Sequence, residues 1–185
     1  MAAMLRLFCL GLLVCVWALP AGADVSRCNC DPSKPETMKA RECSLCAEAE
    51  KQPPDVKFFI LKDVNPRKPN RWLVLPRAHG TGPHPLHEVP KAQRDALWKF
   101  AIATAKEKIG DGWGLAYNSW HVRTQCHLHI HIGRYITAAE NSLFVFVRRP
   151  EDFPAPEHSG LLIHPVKGGY HVHTGERIME TALVR

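Results

Sequence analysis

Short runs of alternating or continuous apolar residues dominate this chain, with one longer helical pattern among them. Residues 56–62 (VKFFILK) are β-branched and aromatic and read as a strand. Residues 65–70 form a Pro/Asn/Arg turn, and 72–75 a second short strand stopped by Pro76. Residues 77–90 hold three His, three Pro and two Gly and read as a loop. Pro90 suits a first helical position. From there Ala92, Ala96, Leu97, Phe100, Ala101, Ala103 and Ile109 fall mainly on one face through Lys108, and Gly110 ends the helix. A strand over 112–117 precedes a polar loop, 118–124. Residues 127–132 alternate strictly, and 143–147 are apolar throughout, as in a buried strand. Three C-terminal strands are expected over 161–164, 169–173 and 178–184, turned at Gly168-Gly169 and Thr174-Gly175. One main helix among hairpin-linked strands predicts an α+β fold.

The N-terminus has a different character. Residues 1–23 carry one base, Arg6, and no acid; an apolar run over 7–19 leads to Pro20-Ala21-Gly22-Ala23. This is the pattern of a secretory signal peptide cut before Asp24. The expectation is export, periplasmic or extracellular, or membrane anchoring if the segment is retained. Its 13 apolar positions fall short of a membrane span, which takes about 20. The rest divides into a Cys-rich lead-in (24–55), a central domain (56–148) and a C-terminal β extension (149–185).

Beyond residue 23 lie Cys28, Cys30, Cys43, Cys46 and Cys126. In an exported chain the first four suggest disulfides. Zinc is the rival reading, because Cys43-Ser-Leu-Cys46 has ligand spacing that His79 or His127 would complete. Cys126 is expected to be a buried free thiol. The 185 residues carry 24 Lys+Arg against 18 Asp+Glu, net +6, which favours an anionic partner. The bases are not interleaved with stacking aromatics, so a nucleic-acid role is not expected. The helix bases Lys91, Arg94, Lys99, Lys106 and Lys108 read as a solvated face.

The segment Arg123-Thr124-Gln125-Cys126-His127-Leu128-His129-Ile130-His131-Ile132 holds the chemistry. On a strand, His127, His129 and His131 share one face, neighbours about 7 Å apart, while Leu128, Ile130 and Ile132 face the core. The ends of that row lie roughly 13 Å apart, so one metal ion cannot take all three. At most two adjacent ones could share a metal, with help from elsewhere. The competing reading is nucleophilic: the middle imidazole attacks phosphorus, forming a phosphoramidate that water hydrolyses. Asn118, Ser119, Arg123 and Gln125 are the nearby donors for phosphate oxygens.

The run His127-Leu128-His129-Ile130-His131-Ile132 resembles the H-φ-H-φ-H-φ-φ signature of the histidine-triad superfamily of nucleotide hydrolases and transferases. The strings Leu115-Ala116-Tyr117-Asn118-Ser119 and Arg123-Thr124-Gln125 resemble its CDP-diacylglycerol pyrophosphatase branch. So do Ile60-Leu61-Lys62-Asp63-Val64-Asn65, Trp72-Leu73-Val74-Leu75-Pro76 and, more weakly, Cys46-Ala47-Glu48. The resemblance covers about residues 43–133; the tail after Gly133 lies outside it. It implies a histidine-triad antiparallel sheet and hydrolysis of CDP-diacylglycerol to CMP and phosphatidate. Other nucleotide or phosphoramidate substrates are the alternative, and a metal-binding module without turnover a second. In this resemblance His129 is the nucleophile, with His127 and His131 as phosphate-contacting and proton-handling neighbours. Asn118, Ser119, Arg123 and Gln125 contact phosphate and leaving group. No metal is required for the reaction; a structural zinc at Cys43, Cys46, His79 and His127 would match the zinc-binding members. Membrane association and a homodimer are compatible with the resemblance. Trp72 stands where many triad proteins carry a histidine. In the tail, His171 and His173 share a strand face and read first as a surface pair, second as a metal edge.

Overall fold

The period-2 segments assemble into one antiparallel sheet in the computed structural model, which describes Val25 and residues 28–185. The expected signal segment lies outside the described residues. Its strands are β1 (Phe58–Lys62), β2 (Trp72–Pro76), β3 (Trp113–Tyr117), β4 (Ile130–Arg134), β5 (Val145–Val147), β6 (Gly160–Val166) and β7 (Gly169–Gly175). Their order across the sheet is β1-β2-β4-β3-β6-β7-β5. Two α-helices accompany it, α1 (Ser44–Glu50) and α2 (Lys91–Ile109), giving an α+β fold.

Helix α2 follows Pro90 directly and stops at Gly110, whose φ of 73° favours glycine. Its buried stripe is Leu97, Trp98, Ala101, Ile102 and Ala105, a helical period. Ala92, Ala96 and Ala103, expected on the inner face, point outward. The stripe packs on Val74, Leu115, Leu128, Ile130, Ile132 and Ile163 in the main core. Alternation therefore sends Leu128, Ile130 and Ile132 to the helix side, as expected, and leaves His131 for the other.

That second face is covered in two patches. Ala49 of α1 packs with Phe59, Leu73 and Leu75. The C-terminal residues Met179, Ala182 and Leu183 pack with Ala116, Tyr135 and Leu162. The gap between the patches, over β4, is the cavity described below.

Several expectations are corrected. The strand expected over 127–132 begins only at Ile130. Cys126 holds the preceding backbone out of the ladder: it is disulfide-bonded to Cys28, its N–H donates to the Glu42 carbonyl, and its carbonyl accepts from His84 N–H. Cys126 is thus not a free thiol. A second disulfide joins Cys30 to Cys43, and Cys46 is the free cysteine among the described residues. The segment 143–147 is not a buried strand. Only Val145–Val147 pairs, at the sheet edge, and Leu143, Phe144, Val145 and Phe146 are exposed because no described residue covers that edge's outer face. Residues 178–184 form a 3₁₀ turn, Met179–Ala182, with one bridge between Leu183 and Tyr135. In the C-terminal segment 149–185, β6 pairs with β3 and so joins the central sheet.

The C-terminal turn replaces a strand because Arg71 takes its carbonyls. Arg71 is buried; its Nε donates to Val184 O (3.0 Å), and Nη2 to Glu180 O (2.7 Å) and Leu183 O (2.6 Å). Nη1 donates to Glu180 Oε2 at 2.7 Å. The Arg71→Met variant strands these acceptors, and the expected loss is about 3–5 kcal/mol of unfolding free energy, read by urea denaturation. A loss under about 1 kcal/mol contradicts the assignment.

Candidate functional site

The gap over β4 is a cavity of about 650 Å³, a size that suits a small organic ligand. His129 and His131 line one wall with Asn118, Arg123, Thr124 and Gln125. Helix α1 supplies Ser44, Leu45 and Glu48, and the β1–β2 connection supplies Asp63, Val64, Asn65 and Lys68. Glu180 and Ile178 close it from the C-terminal side.

Hydrogen bonds to backbone carbonyls fix the tautomers of His129 and His127. His129 Nδ1 lies 2.8 Å from the His127 carbonyl. A carbonyl only accepts, so Nδ1 carries the proton and Nε2 keeps its lone pair. No protein group among the described residues bonds that Nε2. His127 repeats the pattern, Nδ1 donating to Leu128 O at 2.8 Å. Asn118 Oδ1 accepts the Glu180 N–H at 3.2 Å, which orients the amide so that its NH₂ faces His131 Nε2 at 3.4 Å. His131 Nδ1 lies 3.4 Å from Glu180 Oε2 but makes no hydrogen bond among the described residues. The same carboxylate oxygen pairs with Lys68 Nζ (2.6 Å) and Arg71 Nη1 (2.7 Å).

Arg123 is the other notable wall residue. It is buried, and its Nη2 donates to His84 O (3.0 Å) and Cys126 O (2.9 Å). Its Nε and Nη1 are buried without partners among the described residues. Desolvated N–H groups of a cation beside His129 are what an anion would satisfy. Gln125 is anchored to the lead-in: Ser44 Oγ donates to its Oε1 at 2.8 Å, and its Nε2 donates to Arg41 O at 3.1 Å.

Not every expected residue joins the cavity. His127 lies before β4, fully buried, and does not line it; its ring packs against His79 and His84 at 5.3 and 6.0 Å. The single-face row of three histidines is corrected to an adjacent pair, His129 and His131, with ring centroids 4.8 Å apart. Ser119 is buried beside the site, where its Oγ accepts the His121 N–H at 3.4 Å. The zinc set Cys43, Cys46, His79, His127 does not fit, because Cys43 is spent in a disulfide. Burial pushes the Cys46 thiol up to about 12.

Sequence reasoning missed Lys68 and Glu180. Glu180 had a signal: it is the one acid in an otherwise apolar and neutral stretch, Ile178–Val184.

No protein-family model matches this chain, and no curated protein matches it.

Burial holds the imidazoles neutral. The His129 pKa is lowered to about 3 by desolvation, then by His131 and Arg123. His131 falls to about 3 by desolvation, Lys68 and Arg71, and His127 to about 3 chiefly by desolvation. His84 falls to about 4 for the same reason, aided by Arg123 and His79. A neutral His129 keeps its Nε2 lone pair at any moderate pH. The unfolded chain, by contrast, protonates these groups near their ordinary value. Their contribution to stability is therefore complete above about pH 6.5 and lost as pH falls toward the folded values. Unfolding free energy is expected to drop by at least about 1.4 kcal/mol per unit between roughly pH 6 and pH 4. Denaturant titration across that range checks this; a flat profile contradicts it.

Proposed function

We propose that this protein is a hydrolase of histidine-triad type that cleaves a nucleotide-linked pyrophosphate, CDP-diacylglycerol being the substrate of choice. The observation that carries the reading is His129 Nε2, an unprotonated and unbonded nitrogen on a cavity wall beside the unpartnered N–H groups of Arg123. The sequence resemblance supplies the substrate class. The cavity supports an amphiphilic one: Leu45, Leu61, Leu73, Val122 and Ile178 line it together with Lys68, Asn118 and Arg123. At its rim Val64 is 97% exposed and Ile178 42% exposed, apolar side chains placed to meet acyl chains or a bilayer surface.

The proposed chemistry follows from the tautomer. The Nε2 lone pair attacks the phosphorus of the nucleotidyl group. A P–N bond forms as the P–O bond to phosphatidate breaks, and phosphatidate leaves with the electron pair. The ring becomes cationic, and the His127 carbonyl, 2.8 Å from Nδ1, is placed to stabilise it. Water then attacks phosphorus, the P–N pair returns to Nε2, the water proton passes to product or solvent, and CMP is released. Arg123 neutralises charge on the phosphoryl oxygens. His131, oriented by Asn118 and Glu180, holds the adjoining wall. His127 positions His129 through its backbone and stays clear of the substrate.

The test is CMP release from detergent-dispersed CDP-diacylglycerol. His129→Ala is expected to lower the rate about 10³-fold or more with the fold intact by circular dichroism. Arg123→Lys is expected to cost about 10²-fold, since the planar fork is lost while the charge stays. Release of nucleotide from a soluble phosphoramidate but not from the lipid moves the reading to the alternative substrate. Inertness toward both overturns it.

A further inference from the structure

A second cluster of ligating side chains lies away from the cavity, on strands the triad does not use. His171 and His173 share one face of β7, and His164 on β6 sits directly opposite His171 in the ladder. Glu140, in the connection before β5, reaches over the same face. One donor atom from each of the four lies within 4.8 Å of all the others. We propose that Glu140, His164, His171 and His173 form a binding site for a single divalent transition-metal ion, with Zn²⁺ the first choice.

The spacing is the first argument. A tetrahedral zinc with bonds of about 2.0–2.1 Å places its ligand atoms roughly 3.3 Å apart. His164 Nε2 and His173 Nε2 are 3.3 Å apart. Glu140 Oε1 is 3.3 Å from both His171 Nδ1 and His173 Nε2. The contact from Glu140 to His164 Nε2, 2.7 Å, uses the second carboxylate oxygen. His171 stands within 4.8 Å of the other two imidazole donors, so a small closing movement of its ring completes the polyhedron. Three imidazoles and a carboxylate are also a donor set that suits zinc over magnesium or calcium.

The second argument concerns the two facing nitrogens. His164 Nε2 and His173 Nε2 cannot both direct an N–H at their mutual contact. A cation between them engages both lone pairs at once. Their rings are also held in place from behind. Tyr135 stacks on His164 with centroids 4.0 Å apart and planes 7° from parallel. Phe144 stacks on His171 at 3.6 Å and 14°. The Tyr135 hydroxyl donates to Glu140 Oε2 at 3.1 Å, an outer contact that orients the carboxylate. His164 and His173 are buried, His171 is half-buried and Glu140 is exposed, so the site is fixed on the sheet and open on the Glu140 side.

Four protein ligands close a tetrahedron, which makes the role structural. The ion fastens the connection after β4 to the β6–β7 hairpin. It does so next to Tyr135, whose backbone bridges Leu183 in the C-terminal turn. The inference is independent of the proposed hydrolase activity, and its test reads metal.

The experiment uses the full chain, stripped with chelator and dialysed against ZnCl₂, with bound zinc counted by elemental analysis and melting followed by calorimetry. One equivalent per chain is expected, with a melting temperature that rises with free zinc. The Co²⁺-loaded protein is expected to show the intense visible absorption of tetrahedral cobalt. Glu140→Gln, which keeps the shape of an exposed side chain, is expected to weaken zinc affinity at least 10-fold. His171→Ala, at a half-buried position, is expected to do the same and to abolish the cobalt spectrum. The apo-protein melting of Glu140→Gln serves as the folding control. Absence of stoichiometric zinc in the unsubstituted chain overturns the proposal. So does unchanged zinc affinity in both folded variants, since the metal then lies elsewhere.

Discussion

Arg71 is a buried cation on β2's leading edge whose guanidinium has one way to be satisfied: the C-terminal turn must close over it. Three of that turn's carbonyls and the Glu180 carboxylate supply the acceptors. Desolvating a guanidinium is costly unless every N–H finds a partner, so this contact is cooperative. Its consequences reach the cavity. Fixing Glu180 orients Asn118, whose amide in turn meets His131 Nε2. The same turn contributes Met179 and Leu183 to one of the two apolar patches that frame the gap over β4. One ion pair thus links the last residues of the chain to the imidazole pair in the sheet centre.

The cavity combines features that packing alone would not select. His127, His129 and His131 are buried and neutral, and Arg123 is buried with two nitrogen atoms unpartnered among the described residues. Each lowers stability relative to an apolar substitute. Together they hold a lone pair and a cation at the same wall, the two components that the proposed nucleotidyl transfer to nitrogen needs. The cost is met by the α2-side core, where Leu128, Ile130 and Ile132 alternate with the histidines.

Much of this was legible in local spacing. Period-2 alternation placed Ile130 and Ile132 in the core and His131 opposite them. The loop donors Asn118, Arg123 and Gln125 do line the cavity with His129. Where the reading departed, a long-range contact decided. The row of three histidines needed a strand beginning at 127, and the Cys28–Cys126 disulfide, spanning 98 residues, prevents that start. Leu143–Val147 has the composition of a buried strand, but its place at the sheet edge leaves it exposed. The turn at Met179–Ala182 has a strand-like sequence and a different structure because Arg71, more than a hundred residues earlier, takes its carbonyls. The convergence of Glu140 on His164, His171 and His173 depends on β6–β7 register and has no local signal.

In the proposed reaction His129 Nε2 carries the nucleotidyl group. The direct measurement is a rapid reaction with CDP-diacylglycerol, an alkaline quench that preserves phosphohistidine, and mass spectrometry of the tryptic peptide spanning residues 124–134. A cytidylyl adduct on His129, formed and lost at the rate of turnover, is expected. An adduct on a different histidine, or turnover with no adduct at any time, contradicts it.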